Sequence, residues 1–167
     1  MSKSIPNTNV KPWVLVVLLT VFAGCKPSLL PSTNLKDNGE NRALVNFMLE
    51  YKGAIEKRDA DAVMKLVAKD YFEDNGNLEQ EDDYGYEGLR DKLISRFEHL
   101  KAVRLDLFIQ NSVEDKGKVF VDYRYQQRSL ITLPAGESWV SHTDVNRLTL
   151  RKKGDNYKEG FEVVSGL

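Results

Sequence analysis

The chain has 167 residues, of which 24 are Lys or Arg and 25 are Asp or Glu, so its formal net charge is −1. That length fits one domain, and the near-neutral charge argues against a nucleic-acid partner, because phosphate binding requires a basic patch. The single cysteine excludes an intrachain disulfide, a thiolate metal site and Cys-x-x-Cys redox chemistry.

Residues 1–24 have the composition of a signal peptide. Lys3 and Lys11 give a positively charged start without acidic residues, and an apolar run follows over residues 13–22. That run is about half of the ~20 residues that a membrane-spanning helix requires. We therefore expect residues 1–24 to be removed and leave them out of the fold prediction.

The end of this segment, Phe22-Ala23-Gly24-Cys25, resembles the lipobox of bacterial lipoproteins, with Phe22 in the place that Leu usually takes. The resemblance implies cleavage between Gly24 and Cys25, a diacylglycerol on the Cys25 sulfur, and an acyl chain such as palmitate on the freed amine. The alternative is an ordinary secretory signal with an incidental cysteine. Lys26 stands where an Asp often retains lipoproteins in the inner membrane, which favours the periplasmic side of the outer membrane.

Residues 25–41 contain Pro27, Pro31, Gly39 and several Ser, Thr and Asn residues, without sustained periodicity. This composition is typical of a flexible tether. The folded domain is predicted to occupy residues 42–167.

Apolar residues at helical spacing predict three helices. The first begins at Arg42 and ends before Asp59, which is a suitable N-cap for a second helix running toward Tyr71. An acidic stretch over residues 73–83 is interpreted as a solvated loop, and a third helix is predicted over Tyr86 to Lys101.

After residue 102 the apolar period changes to two, which indicates strands. Four are predicted, over residues 103–109, 119–133, 139–151 and 157–164, with turns between them. Three helices followed by an antiparallel meander predict an α+β fold, with the helices packed on one face of the sheet.

This order resembles the nuclear transport factor 2-like superfamily, which includes ketosteroid isomerases, polyketide cyclases and scytalone dehydratases. The resemblance lies in the helix corner at residues 51–62, the helix start at residues 88–93 and the long strand at residues 144–150. It implies a strongly curved, cone-like sheet wrapped on three helices, with a pocket between them and often a dimer.

The third strand carries the candidate site. His142, Asp144 and Asn146 share a face with Leu148 and Leu150, so they are expected to face the interior. There they would line a wet pocket with the helix tyrosine Tyr51 and the neighbouring-strand tyrosines Tyr123 and Tyr125.

Tyr51 and Asp144 fall at the places of the oxyanion-binding pair of ketosteroid isomerases, so the resemblance implies a carbonyl-polarising pair. If the domain is an enzyme, His142 or an unassigned carboxylate would move the proton. At the place of the family's catalytic base, however, the chain has Asn75, which cannot abstract a proton. The alternative is that Tyr51 is a core tyrosine and Asp144 an internal hydrogen-bond acceptor.

The leading functional hypothesis is a membrane-tethered, non-catalytic module that binds a small apolar ligand or a protein partner. The alternatives are an acid/base enzyme of the isomerase, dehydratase or cyclase type, and a structural homodimer whose pocket is filled by side chains. Two histidines and an acidic loop without EF-hand spacing predict no metal site, and no motif predicts a cofactor.

Overall fold

A computed structural model describes residues 28–75 and 80–167. The predicted signal peptide, the lipobox and Cys25 lie outside the described residues, as do residues 76–79 of the acidic loop. Within the described ranges, no helix has the length and apolarity needed to cross a bilayer.

The described residues form three α-helices and six strands. The helices are α1 (Gly39–Lys57), α2 (Ala60–Met64) and α3 (Tyr86–Glu98). The strands are β1 (Phe72–Glu73), β2 (Tyr84–Gly85), β3 (Ala102–Asp115), β4 (Lys118–Leu133), β5 (Gly136–Lys152) and β6 (Phe161–Ser165). The predicted α+β class, with three helices and a four-stranded antiparallel sheet, is confirmed. The order of elements differs from the prediction, because the small β1–β2 pair lies between α2 and α3.

Strands β3, β4, β5 and β6 pair with their chain neighbours in one antiparallel sheet. β5 has 17 residues and β4 has 16, about three times the usual strand length. A register shift between Ile109 and Asn111 marks a bulge in β3, and such bulges bend a strand. Because β4 and β5 are so long, they extend past the helices at one end of the sheet.

The core lies between the apolar stripes of the helices and one face of the sheet. α1 contributes Leu44 and Met48, and α3 contributes Leu89 and Leu93, all buried. Facing them are fully buried side chains of the sheet, namely Val121, Leu148, Leu150 and Val163. Helical spacing and strand alternation correctly predicted these faces.

The second helix ends well before the predicted position. α2 stops at Met64, and the chain then pairs with the β6 edge: the Val163 amide donates to the Leu66 carbonyl at 2.8 Å, and the Ala68 amide donates to the Val163 carbonyl at 2.9 Å. The predicted helix to Tyr71 is wrong, because these tertiary hydrogen bonds take the backbone groups that a longer helix would use.

Much of the predicted tether is packed on the domain. We call residues 28–37 the strap. Its Asn34 amide donates to the Ile109 carbonyl at 2.9 Å, the Ile109 amide donates to the Ser32 carbonyl at 3.2 Å, and Leu35 is buried. The flexible interpretation of residues 28–41 is therefore corrected, because the partner of the strap is the β3 edge, far away in sequence.

The first helix accordingly begins before Arg42. Asn38 caps it by accepting a 2.8 Å hydrogen bond from the Asn41 amide, and the helix starts at Gly39. The predicted domain boundary at residue 42 is therefore too late. The folded domain includes the strap, and α1 begins about one helical turn before residue 42.

Candidate functional site

A small cavity lies between α1, α3 and the helix-facing side of the sheet. Its volume is about 80 Å³, well below the ~300–1,000 Å³ of ordinary small-molecule pockets. The lining residues are Tyr51, Ile55, Arg96, Phe97, Leu100, Val103, Leu105, Tyr123, Tyr125, Gln127, Asn146 and Leu167. Among the described residues that line it, none is Asp, Glu or His.

The polar part of the cavity is centred on two neighbouring phenols. Tyr51 of α1 and Tyr123 of β4 both line the cavity, and each perturbs the pKa of the other. The Asn146 side chain donates to the Tyr123 hydroxyl at 3.2 Å and to the Gly166 carbonyl at 3.0 Å. The buried Tyr123 hydroxyl is therefore hydrogen-bonded within the protein, as buried polar groups must be.

Burial sets the ionisation of these tyrosines. Desolvation raises the pKa of Tyr51 well above its usual range, and the neighbouring Tyr123 phenol adds to the shift. Burial likewise raises the pKa of Tyr123, although the hydrogen bonds from Asn146 and Tyr51 partly oppose the shift. Both phenols are therefore neutral donors and acceptors near pH 7, and neither is a ready base.

Arg96 and Leu167 also line the cavity, although the sequence did not predict them as site residues. The Arg96 guanidinium of α3 donates to the Gln127 side chain of β4 at 3.1 Å, which ties the helix to the sheet beside the cavity. The Leu167 carbonyl accepts a 2.9 Å hydrogen bond from the Tyr84 hydroxyl. Neither residue belongs to a local motif, so only their tertiary placement reveals them.

His142 and Asp144 do not lie in the interior. Both side chains are more than half exposed, and the His142 Nε2 atom is 3.6 Å from the Asp144 Oδ2 atom. The strand parity is as predicted, but this half of β5 projects beyond the helices, so the shared face is solvated there. The expectation that these two residues line a buried pocket is wrong, whereas Tyr51, Tyr123, Tyr125 and Asn146 do lie around one cavity.

Asn75 has a structural place in the loop after β1. Its backbone is left-handed, with φ of 50°, a conformation that Asn tolerates better than most residues. Its side chain donates to the Asp82 carbonyl at 2.9 Å, which joins the two ends of the acidic loop. Asn75 is not among the residues that line the cavity.

Comparison with known structures gives the fold. A protein from Kribbella flavida superposes with a TM-score of 0.61 at 8% identity, covering 76% of this chain and 87% of that one. A nuclear transport factor 2-like superfamily protein from Salmonella enterica gives a TM-score of 0.58 at 11% identity, covering 76% and 90% of the two chains.

A ketosteroid isomerase-like protein from Erwinia carotovora gives a TM-score of 0.55 at 19% identity, covering 77% of this chain and 93% of that one. The domain has the nuclear transport factor 2-like fold. At these identities the similarity concerns the fold alone. No family model matches the sequence, and no curated protein matches it in sequence.

The sheet of this nuclear transport factor 2-like domain also has an outer face, turned away from the helices. Here the Arg104 guanidinium lies 5.6 Å from the ring centre of Trp139, and the Arg124 guanidinium lies 5.6 Å from that of Phe108. Val145, on the same face, is 61% exposed. Exposed aromatic, arginine and apolar side chains together are typical of protein-binding surfaces.

Over residues 28–75 and 80–167, no three side chains of the His, Cys, Asp or Glu type come together as a metal site requires.

Proposed function

We propose that this protein is a lipid-anchored lipoprotein of the bacterial cell envelope, on the periplasmic side of the outer membrane, and that its domain is a non-catalytic protein-binding module. The anchor is supported by the lipobox resemblance at Phe22-Ala23-Gly24-Cys25, by the basic start and by the short apolar run. Lys26 in the place of the retention Asp supports the outer membrane.

The non-catalytic part of the proposal depends on the make-up of the cavity. Among the described residues around it, no side-chain carboxylate or imidazole is available for proton transfer, and burial holds the pKa of the Tyr51 phenol well above its usual range. Asp144 and His142 pair with each other in solvent instead. A cavity of about 80 Å³ also has room for little beyond a few water molecules.

The binding part depends on the outer face of the sheet. Two of its arginines form ion pairs within the face, because Arg128 contacts Asp106 at 3.4 Å and Arg147 contacts Asp122 at 2.6 Å. Arg104 and Arg124 lie over aromatic rings and add two further positive charges. We propose that the partner is a protein with an acidic patch, since a second copy would bring like charges together.

One experiment tests both parts in cells that produce the full chain with a photo-crosslinking amino acid at Val145. The expected result is a mature, membrane-bound protein that crosslinks to a different protein. Arg124→Glu should abolish that crosslink and Arg124→Lys should retain it, because the charge is the determinant. Cys25→Ser should remove the mature form from the membrane fraction, and Lys26→Ala should not.

The outcomes against the proposal are distinct. A Cys25→Ser protein that is processed and stays in the membrane fraction would disprove the anchor. A crosslink between two copies of this chain would favour the structural homodimer. A crosslink that persists in the Arg124→Glu variant would disprove the outer face as the binding surface. An equally strong crosslink from a photo-crosslinker at exposed Glu98 of α3 would disprove it as well.

A further inference from the structure

The strap fixes where the chain enters the domain. The Asp37 amide donates to the Ser28 carbonyl at 2.8 Å, and the Leu30 amide donates to the Leu35 carbonyl at 2.9 Å, so the strap folds back on itself. Thr33 is buried, and its hydroxyl accepts a 3.0 Å hydrogen bond from the Leu35 amide. Ser28 is thereby held beside Asn38, the N-cap of α1.

The distance from this point to the lipidated residue is short. Ser28 follows Cys25 by three residues, and three residues span at most ~11 Å even when fully extended. A tether over residues 25–41 would have let the domain move freely above the bilayer. With the strap packed on the domain, only residues 26 and 27 separate the strap from Cys25.

Ser28 lies at one end of the long sheet. Lys152, in the last pair of β5 and β6, contacts Glu40 of α1 at 3.0 Å and Glu114 of β3 at 2.8 Å. The start of α1, the β3–β4 turn and the end of β5 therefore lie together, and we call this the strap end of the domain. Exposed Leu29 and Lys36 of the strap offer an apolar group and a cation there.

The cavity and the β4–β5 turn lie toward the other end. Tyr51 is twelve residues along α1 from Gly39, a rise of ~18 Å. In β4, Tyr123 pairs with Ile109, the residue that the strap contacts. Leu133, at the β4–β5 turn, is ten residues further along β4, which corresponds to ~33 Å.

We infer that the domain stands on the phospholipid surface on its strap end, with the cavity and the β4–β5 turn directed away from the bilayer. This inference rests on the proposed lipid anchor. The lipid-water interface accommodates both Leu29 and Lys36 of the strap, because apolar side chains partition into it and lysines reach the phosphates. The protein-binding face of the sheet is then held upright above the membrane.

The test uses the lipidated full chain in vesicles of phosphatidylethanolamine and phosphatidylglycerol that contain a lipid with a nitroxide on its headgroup. Because the Cys25 sulfur is occupied by lipid, Lys36→Cys or Glu137→Cys provides a single free thiol for a fluorophore. We expect several-fold stronger quenching at position 36 than at position 137, which lies near the β4–β5 turn.

A spacer variant separates orientation from anchoring. About ten Gly and Ser residues inserted between Pro27 and Ser28 add a reach of ~17 Å, so quenching at position 36 should fall while the protein stays on the vesicles. The same spacer between Pro134 and Ala135, in the β4–β5 turn, should leave quenching at position 36 unchanged.

Failure of the anchor and failure of the orientation are distinguishable. If neither labelled protein carries lipid or sediments with vesicles, the proposed anchor is wrong, and the orientation is wrong with it. If both are lipidated and bound but are quenched equally, or position 137 more strongly, the orientation is overturned while the anchor stands. Quenching that does not respond to the spacer at residue 27 would also overturn the orientation.

Discussion

At the scale of single residues, Gly166 determines how the cavity is closed. Its φ of +96° is left-handed, and a Cβ atom there would collide with the Arg147 carbonyl oxygen. Its carbonyl accepts from Asn146, and its amide donates to the Glu73 carboxylate. Only glycine combines this conformation with so close an approach, and the result is that Leu167 lines the cavity.

Gly166→Ala should therefore lower the free energy of unfolding by about 1–3 kcal/mol, because the new methyl group forces a strained backbone apart. The control is Gly53→Ala in the middle of α1, where a Cβ meets no atom within 4 Å. That change should stabilise by about 0.5–1 kcal/mol, since alanine loses less backbone entropy in a helix. Urea denaturation monitored by circular dichroism measures both; similar values for the two variants would contradict this account.

At the scale of elements, part of each edge of the main sheet is covered. The strap pairs with β3 at Ile109, and the Leu105 amide of β3 donates to the Glu56 carboxylate of α1 at 2.9 Å. On the other side, Leu66 and Ala68 pair with Val163 of β6. Uncovered edges invite pairing with other chains, so these segments protect the parts of β3 and β6 that they contact.

The strap should contribute measurably to stability through Leu35. Truncating this buried side chain, which is only 7% exposed, with Leu35→Ala should cost about 2–4 kcal/mol. Leu29→Ala removes the same atoms from an exposed position of the strap and should change stability by less than about 0.5 kcal/mol. Thermal unfolding of both variants gives the comparison, and a Leu35→Ala protein as stable as Leu29→Ala would mean that the strap is not part of the folded domain.

At the scale of the whole molecule, the sheet is longer than the layer of helices. Near β6, the inner face of the sheet is core, with Leu148 and Leu150 fully buried. Toward the β4–β5 turn the same face is solvated, where Val140 is 47% exposed. A single strand face is thus a packing surface at one end and a solvent-exposed surface at the other.

The buried tyrosines make the stability of the molecule depend on alkaline pH. Burial raises the pKa of Tyr51, Tyr71 and Tyr123 above their ordinary value of 10.0. The folded state then holds protons that the unfolded chain releases, so stability is complete below about pH 10 and falls as the pH rises above it.

The midpoint of urea unfolding should accordingly be constant from about pH 8 to 9.5 and decrease above about pH 10. Replacing Tyr51 and Tyr123 together by Phe should reduce that slope, because two of the linked protons are gone. Ultraviolet absorbance of phenolate should rise together with unfolding. A midpoint that does not change up to about pH 11 would show that the phenols titrate normally in the folded protein.

The amino-acid sequence by itself determined the local features: the helical stripe of α1, the change to a period of two after residue 102, and the strand parity that places Asn146 beside Leu148. These follow from side-chain spacing within one element, which the chain encodes locally. The tertiary structure alone decided the early end of α2, the packed strap, the positions of Arg96 and Leu167 around the cavity, and the exposure of His142 and Asp144. Each of these features depends on which distant segment supplies hydrogen bonds or covers a face. The spacing of residues within one element does not specify that distant segment.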